Sequence, residues 1–261
     1  MIMSTKHMVL ITGASTGIGR EMAKIFAQNG FSIVIAARNR SKLIELSDEI
    51  KKKYTVEVLV MPKDLSIKNS AKELFDEIRE KNIEIDTLVN NAGMGDCGFF
   101  HESSVDKDTE MIELNITSLT ILTRIFSEDM VRHGSGKILN VASTGAYMPG
   151  PFIAVYYATK AYVLSFTEAI ANELKEFNIQ VSALCPGATI TEFAKRAGKL
   201  ELKGAMSAES VARIGFTEFM KGKQVIIPGF FNKVGLLFSK FLPRRILAYV
   251  IGKTQRKLHI G

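Results

Sequence analysis

The sequence predicts an α/β fold, a single domain built on a doubly wound parallel sheet of about seven strands with helices on both faces. Three observations carry that expectation. Short apolar runs alternate with amphipathic stretches along the whole chain, the pattern of parallel strands joined by helical crossovers. A glycine-rich turn joins the first strand to the first helix. At 261 residues and 46% hydrophobic content, the chain can bury one substantial core. No internal repeat beyond the alternation, no low-complexity segment and no long Pro/Gly linker divides it.

The elements follow in order. Strand-like runs fall at 8–11, 31–37, 55–61, 85–89, 137–142, 179–185 and 224–227. Helical periodicity falls at 18–29, 41–53, 66–81, 106–133, 157–177 and 207–220. The first strand, Met8 to Ile11, runs into Gly13, Gly17 and Gly19, and Ile18, Met22, Ile25 and Phe26 then mark one side of a helix. Glycines allow a tight turn and close backbone approach, while a helix N-terminus offers free N–H groups and positive dipole to a pyrophosphate. The spacing is G-x-x-x-G-x-G rather than the G-x-G-x-x-G of the common dinucleotide fingerprint. The second strand ends at Ala37 and is followed by Arg38, where an NAD site needs an acid for the ribose 2′-hydroxyl. A guanidinium there can pair instead with a 2′-phosphate, and Ser15 could add a hydroxyl contact. NADP(H) is therefore expected over NAD.

The most informative chemistry lies in Tyr156-Tyr-Ala-Thr-Lys160, which opens the helix at 157–177, with Ser143 thirteen residues before Tyr156. Side chains at i and i+4 share a helix face about one turn apart. A phenol has a reference pKa of ~10, and a neighbouring ammonium is expected to lower it towards acid–base use. Ser143 follows the apolar run 137–142, so its hydroxyl is expected at a strand end, where it can hold a carbonyl oxygen beside the phenol. Tyr157 and Thr144, the adjacent residues, are the rivals for these two roles.

Together these motifs resemble the short-chain dehydrogenase/reductase family. The chain carries its Thr12-Gly-x-x-x-Gly-x-Gly19 turn, Asn90-Asn-Ala-Gly93, Asn115 on a helical stretch, Ser143, Tyr156-x-x-x-Lys160, and Pro186-Gly187 followed by Thr191. All stand in family order over about residues 8–227. The resemblance implies a Rossmann-type fold and oxidoreductase activity on a small-molecule carbonyl or alcohol. It makes Tyr156 the general acid/base, Lys160 the ribose-holding cation that lowers the Tyr156 pKa, Ser143 the carbonyl polariser, and Asn115 the support of a water-linked proton path. It further implies that Gly13, Ser15, Thr16, Gly17, Ile18 and Gly19 cradle the cofactor phosphates. Asp64 and Leu65 would meet the adenine, and Asn91, Ala92 and Gly93 would shape the adenosine side. Pro186, Gly187, Thr189 and Thr191 would hold the nicotinamide end. A homodimer or homotetramer through the helices at 106–133 and 157–177 is also implied.

Charge is uneven. From Phe219 onward there are nine lysines and arginines and no acid; with a total of +7, the first 218 residues carry −2. Residues 1–228 are expected to form the dinucleotide-binding and catalytic body. Residues 229–261 form a basic amphipathic extension, either part of the same domain, a cap over the cleft, a subunit contact or a weak anchor on a membrane surface. Nucleic-acid binding is not expected, since no recognised module accompanies the charge. Two cysteines make no disulfide framework, four scattered histidines suggest no metal site, and no signal sequence or apolar span is evident, so a cytoplasmic setting is expected. The segment 186–211, rich in apolar and basic residues, is where the family places a substrate lid; with Met94, Phe99, Met148 and Phe152 it predicts an apolar pocket. The leading expectation is an NADPH-dependent reductase of an apolar ketone, aldehyde or ketoacyl group. The alternatives are a ketoacyl-thioester reductase at a membrane surface and a non-catalytic NADP-binding regulatory protein.

Overall fold

The computed structural model describes residues 7–192 and 204–259. Seven parallel strands form one sheet in the order β3-β2-β1-β4-β5-β6-β9: β1 is Met8–Thr12, β2 Ser32–Ala37, β3 Val58–Pro62, β4 Thr87–Asn90, β5 Gly136–Val141, β6 Ile179–Leu184 and β9 Val225–Ile226. A separate two-strand ladder pairs β7 (Thr189–Ile190) with β8 (Met206–Ser207). The Rossmann-type doubly wound sheet expected from the alternation is the one observed.

Alternate residues of each strand feed opposite cores, because side chains point up and down with a period of two. Val9, Ile11, Ile33 and Ile35 meet α1 (Gly17–Gln28), α2 (Arg40–Lys53) and α7 (Ala208–Met220) through Met22, Phe26, Leu46 and Phe219. Leu10, Val34, Leu88 and Ile138 face the other way, onto Leu74 and Ile78 of α3 (Ser70–Glu80) and Leu122 and Phe126 of α5 (Leu119–His133). Every residue of β2 is buried, as both faces are covered. α6 (Ala154–Glu173) packs Val163 and Leu164 on the β5–β6 side. The strand order reverses between β1 and β4, which opens a crevice at the carboxyl ends of those strands.

One predicted helix is broken. The stretch 106–133 is α4 (Val105–Ile112), a wide π turn over Glu113–Ser118, and then α5. Single π turns inside helices gather at functional sites, and this one carries Asn115. Beyond β9 the basic extension folds as α8 (Phe230–Ser239) and α9 (Arg244–His259).

Candidate active site

The crevice is assembled from loops that leave β1, β4, β5 and β6. At β1, the Thr12 hydroxyl accepts from the Asn91 and Ala92 amides, each at 3.0 Å, and the Asn91 side-chain amide donates to the Thr12 carbonyl at 2.9 Å and the Gly13 carbonyl at 3.2 Å. The glycine turn and the Asn90–Gly93 turn are thereby stitched together. Gly13 holds φ +66°, and a Cβ there would lie 2.8 Å from the Ala92 Cα. Gly17, at φ +58°, leaves its Cβ space to the Thr191 methyl. A side chain at Gly19 would strike the Asn91 amide and the Gly13 carbonyl. Thr16 caps α1 without a side-chain hydrogen bond, which leaves the first amides of the helix available. This cradle, open only because no Cβ fills it and fronted by a helix N-terminus, fits a dinucleotide pyrophosphate. Ser15 and Thr16 lie partly exposed in the same turn, and Ile18 packs on the core beneath it.

Arg38 stands just past β2, half-exposed. Its Nη1 lies 3.2 Å from Glu110 of α4 and 3.7 Å from Asp64. Asp64 also accepts from the Ser66 amide and hydroxyl, while Leu65 is buried and gives its carbonyl to Ser118 at 2.6 Å. Glu110 is a member of this cluster that the sequence did not reveal, since it is 72 residues from Arg38.

On the other side of the crevice, Ser143 Oγ accepts from the Gly145 amide at 3.0 Å and is hydrogen-bonded to the Tyr156 hydroxyl. Lys160, one turn along α6, donates to the Val141 carbonyl at 2.7 Å and lies 5.9 Å from the centre of the Tyr156 ring. Asn115 accepts from the Met94 amide, and its side-chain amide donates to the Met94 carbonyl and the Thr159 hydroxyl. Its oxygen and the Lys160 ammonium both border Gly93, where a Cβ would lie 3.2 and 3.4 Å from them. The Asn115 side chain thus locks the Met94 loop to the π turn.

The Tyr156–Tyr157 ambiguity has a geometric answer. The Tyr157 ring covers Gly145 and Gly150, where added Cβ atoms would come within 2.8 and 2.5 Å of it. Its hydroxyl receives a long hydrogen bond from Gln255 of α9 at 3.5 Å. Only Tyr156 meets Ser143 and Lys160. The Pro186–Gly187 turn is held to the same loop by the Thr144 amide donating to the Pro186 carbonyl at 2.9 Å, and Thr189 Oγ1 donates to the Gly187 carbonyl at 3.0 Å. Asn232 of α8 fills the space beside Gly187, where a Cβ would come within 2.5 Å of it.

The electrostatics differ from the sequence expectation. An ammonium one turn away is expected to acidify the phenol; here burial dominates and pushes Tyr156 up to about 12, although the Ser143 hydrogen bond pulls the other way. Lys160, buried, is itself pulled down to about 8. Losing water penalises phenolate and ammonium alike, so each group moves towards its neutral form. Behind Lys160, burial raises the Cys185 thiol to about 12, which leaves it a neutral space-filler hydrogen-bonded to Tyr147. Cys97 is partly buried.

Phe152 takes a left-handed φ of +66° and stacks edge-on with Phe99, ring centres 5.2 Å apart, so these two expected pocket residues do meet. The apolar and basic residues expected in the lid at 193–203 lie outside the described residues.

A family model described as short chain dehydrogenase matches residues 7–201. A very-long-chain 3-oxoacyl-CoA reductase of Rattus norvegicus is 33% identical over 192 residues, 71% of this chain but 60% of that relative's length. A short-chain dehydrogenase from Sphingobium yanoikuyae, solved in complex with NADPH, is 30% identical with a TM-score of 0.82, covering 91% of this chain and 97% of that one. A bulky-bulky ketone specific alcohol dehydrogenase from Comamonas testosteroni is 27% identical with a TM-score of 0.78, covering 92% and 96%.

Proposed function

Since the chain belongs to the short-chain dehydrogenase/reductase family, we propose that it is an NADPH-dependent oxidoreductase that reduces an apolar ketone, aldehyde or ketoacyl group. The observation that carries this reading is the convergence of Ser143, Tyr156 and Lys160 on one wall of the crevice, opposite the glycine cradle. Gly13 to Gly19 would take the pyrophosphate, Arg38 the 2′-phosphate, and Lys160 the nicotinamide ribose. Asp64 and Leu65 would flank the adenine, and Asn91 to Gly93 the adenosine. Pro186, Gly187, Thr189 and Thr191 would border the nicotinamide. When bound, the cofactor supplies a hydride to the carbonyl carbon. Ser143 then holds the carbonyl oxygen, and Tyr156 protonates it.

Burial keeps the Tyr156 phenol protonated through the neutral range, so it can give a proton to the carbonyl oxygen during reduction. Among substrates, a ketoacyl thioester has the support of the rat relative, a 3-oxoacyl-CoA reductase, and a bulky ketone that of the Comamonas enzyme. The facing Phe99 and Phe152 rings suit either better than a sugar. Assembly as a homodimer or homotetramer through α4, α5 and α6 belongs to the same reading.

Tyr156→Phe tests it. Ketone- or 3-oxoacyl-thioester-dependent NADPH oxidation should fall by about a hundredfold to ten-thousandfold, with NADPH binding within about threefold of wild type. Wild-type protein that binds NADPH but oxidises it with no member of a ketone, aldehyde and acyl-thioester panel would instead support the non-catalytic binder.

A further inference from the structure

Helices α8 and α9 turn their apolar side chains outward. Of the eighteen large hydrophobic residues exposed among the described residues, nine fall between Phe230 and Val250. On α8 these include Phe230, Phe231 and Phe238, with Phe231 86% exposed, while Leu236 faces inward. On α9, Ile246, Tyr249, Val250 and Lys253 recur at i, i+3, i+4 and i+7 on the outer face, while Leu247 and Gln255 are buried. An amphipathic helix on a globular body ordinarily hides its apolar stripe. These two show much of theirs.

The charge on the same helices is of one sign. Lys233, Lys240, Arg244, Arg245, Lys253 and Arg256 are all exposed, and the chain holds no acid after Glu218. None of the six forms a salt bridge with a carboxylate among the described residues. The inner faces, by contrast, are fixed to the walls of the crevice. Asn232 fills the space beside Gly187, Gly252 rests on Pro151 at a virtual Cβ distance of 3.3 Å, and Gln255 reaches Tyr157. The outward face is therefore presented by elements anchored next to the crevice.

We propose that this face docks on an anionic phospholipid surface, with the phenylalanines and Tyr249 entering the interface and the lysines and arginines meeting lipid phosphates. Exposed aromatic and aliphatic side chains among unpaired cations match the chemistry of that boundary, which supplies apolar depth and negative charge together. A second copy of the chain is a poorer occupant, because a two-fold contact would set cations against cations with no acid on either side. An acidic protein supplies the charge, but an acidic surface is polar where the outer phenylalanines need apolar cover. Among the described residues no helix is long and apolar enough to cross a membrane, so the contact is one of lying on the surface. The inference stands apart from the catalytic reading.

Vesicle flotation of the full chain is the test, with phosphatidylcholine vesicles compared with vesicles that also hold phosphatidylglycerol. The protein should float with the anionic vesicles only, and less so as salt rises. Lys240→Glu with Arg244→Glu should lower partitioning by about 25-fold or more, at about fivefold for each basic residue removed. Phe231→Ser with Phe241→Ser, the second residue lying exposed just past the end of α8, should lower it by about tenfold or more. Because the chain has no tryptophan, Phe231→Trp gives a single reporter whose emission should shift to the blue on binding. The charge variant touches only exposed side chains, so it still decides the matter should the phenylalanine variant fold poorly. The proposal is overturned if the full chain does not float, or if both double variants float like wild type. It is also overturned if the phenylalanine variant merely turns an oligomer into a smaller species while wild type ignores vesicles.

Discussion

Replacing Lys160 with methionine isolates what the site demands of the fold. Lys160 is buried, and loss of hydration is the first cause of its fall from 10.5 to about 8. The folded state therefore binds the proton less tightly than the unfolded chain does. For a base shifted in that direction, stability is missing below the folded value and returns as pH rises towards the unfolded one. At ~1.36 kcal/mol per pH unit, the deficit is about 3 kcal/mol at pH 7 and about 1 kcal/mol at pH 10. Lys160→Met has no such deficit, but it strands the Val141 carbonyl that Lys160 now reaches at 2.7 Å, a loss of about 1–3 kcal/mol that does not depend on pH. At pH 7 the variant should thus be as stable as wild type or somewhat more so, while being largely inactive. By pH 10 wild type should have gained about 2.5 kcal/mol relative to the variant. Urea titrations of both proteins at the two pH values measure this. A stability gap that is the same at pH 7 and pH 10 would refute the claim that burial of an ammonium sets the Lys160 pKa.

Three further outcomes follow from contacts around the crevice. Glu110→Gln should tighten NADPH binding by about twofold to fivefold and leave NADH unchanged, because the carboxylate 3.2 Å from Arg38 competes with a 2′-phosphate; titration calorimetry with both cofactors checks it. Gly187→Ala should destabilise by about 1–3 kcal/mol and loosen α8, since the new Cβ would meet Asn232 at 2.5 Å; thermal melts and limited proteolysis within 230–239 report it. Asn115→Ala should lower stability by about 2–4 kcal/mol through loss of its bonds to Met94 and Thr159, with amide exchange rising at 93–95 and 113–118 in deuterium-exchange mass spectrometry.

What the sequence made legible was local. The glycine turn announced itself because Gly13 and Gly17 need positive φ and Gly19 a space without a Cβ, all within a few residues of β1. Tyr156 and Lys160 share a face by helical spacing alone, and the alternation of runs was enough to foresee seven parallel strands. The π turn was not legible, because residues 113–118 have no sequence mark separating a π turn from an α-helix; the widening accompanies the bonds Asn115 makes 21 positions back in the chain. Long-range pairings such as Glu110 with Arg38, Asn232 with Gly187 and Gln255 with Tyr157 left no trace in local pattern. The direction of the Tyr156 shift was misjudged for a related reason: proximity of a cation can be counted along a helix, whereas burial depends on everything folded around it.

Two features of the chain run against its own stability. Lys160 is a buried ammonium, and α8 and α9 leave phenylalanines to water. Packing would be better served by a methionine at 160 and by serines or glutamates along the outer faces of those helices. Proteins tolerate such departures where another requirement outweighs folding. The first lies in the wall of the crevice beside Tyr156, and the second on the outer faces of helices whose inner faces are fastened to Gly187 and Pro151. The inner faces of α8 and α9 thus belong to the body of the fold even though their outer faces do not. Were the extension an independent appendage, nothing would require Asn232 and Gly252 to pack against the turns that hold Ser143, Pro186 and Phe152.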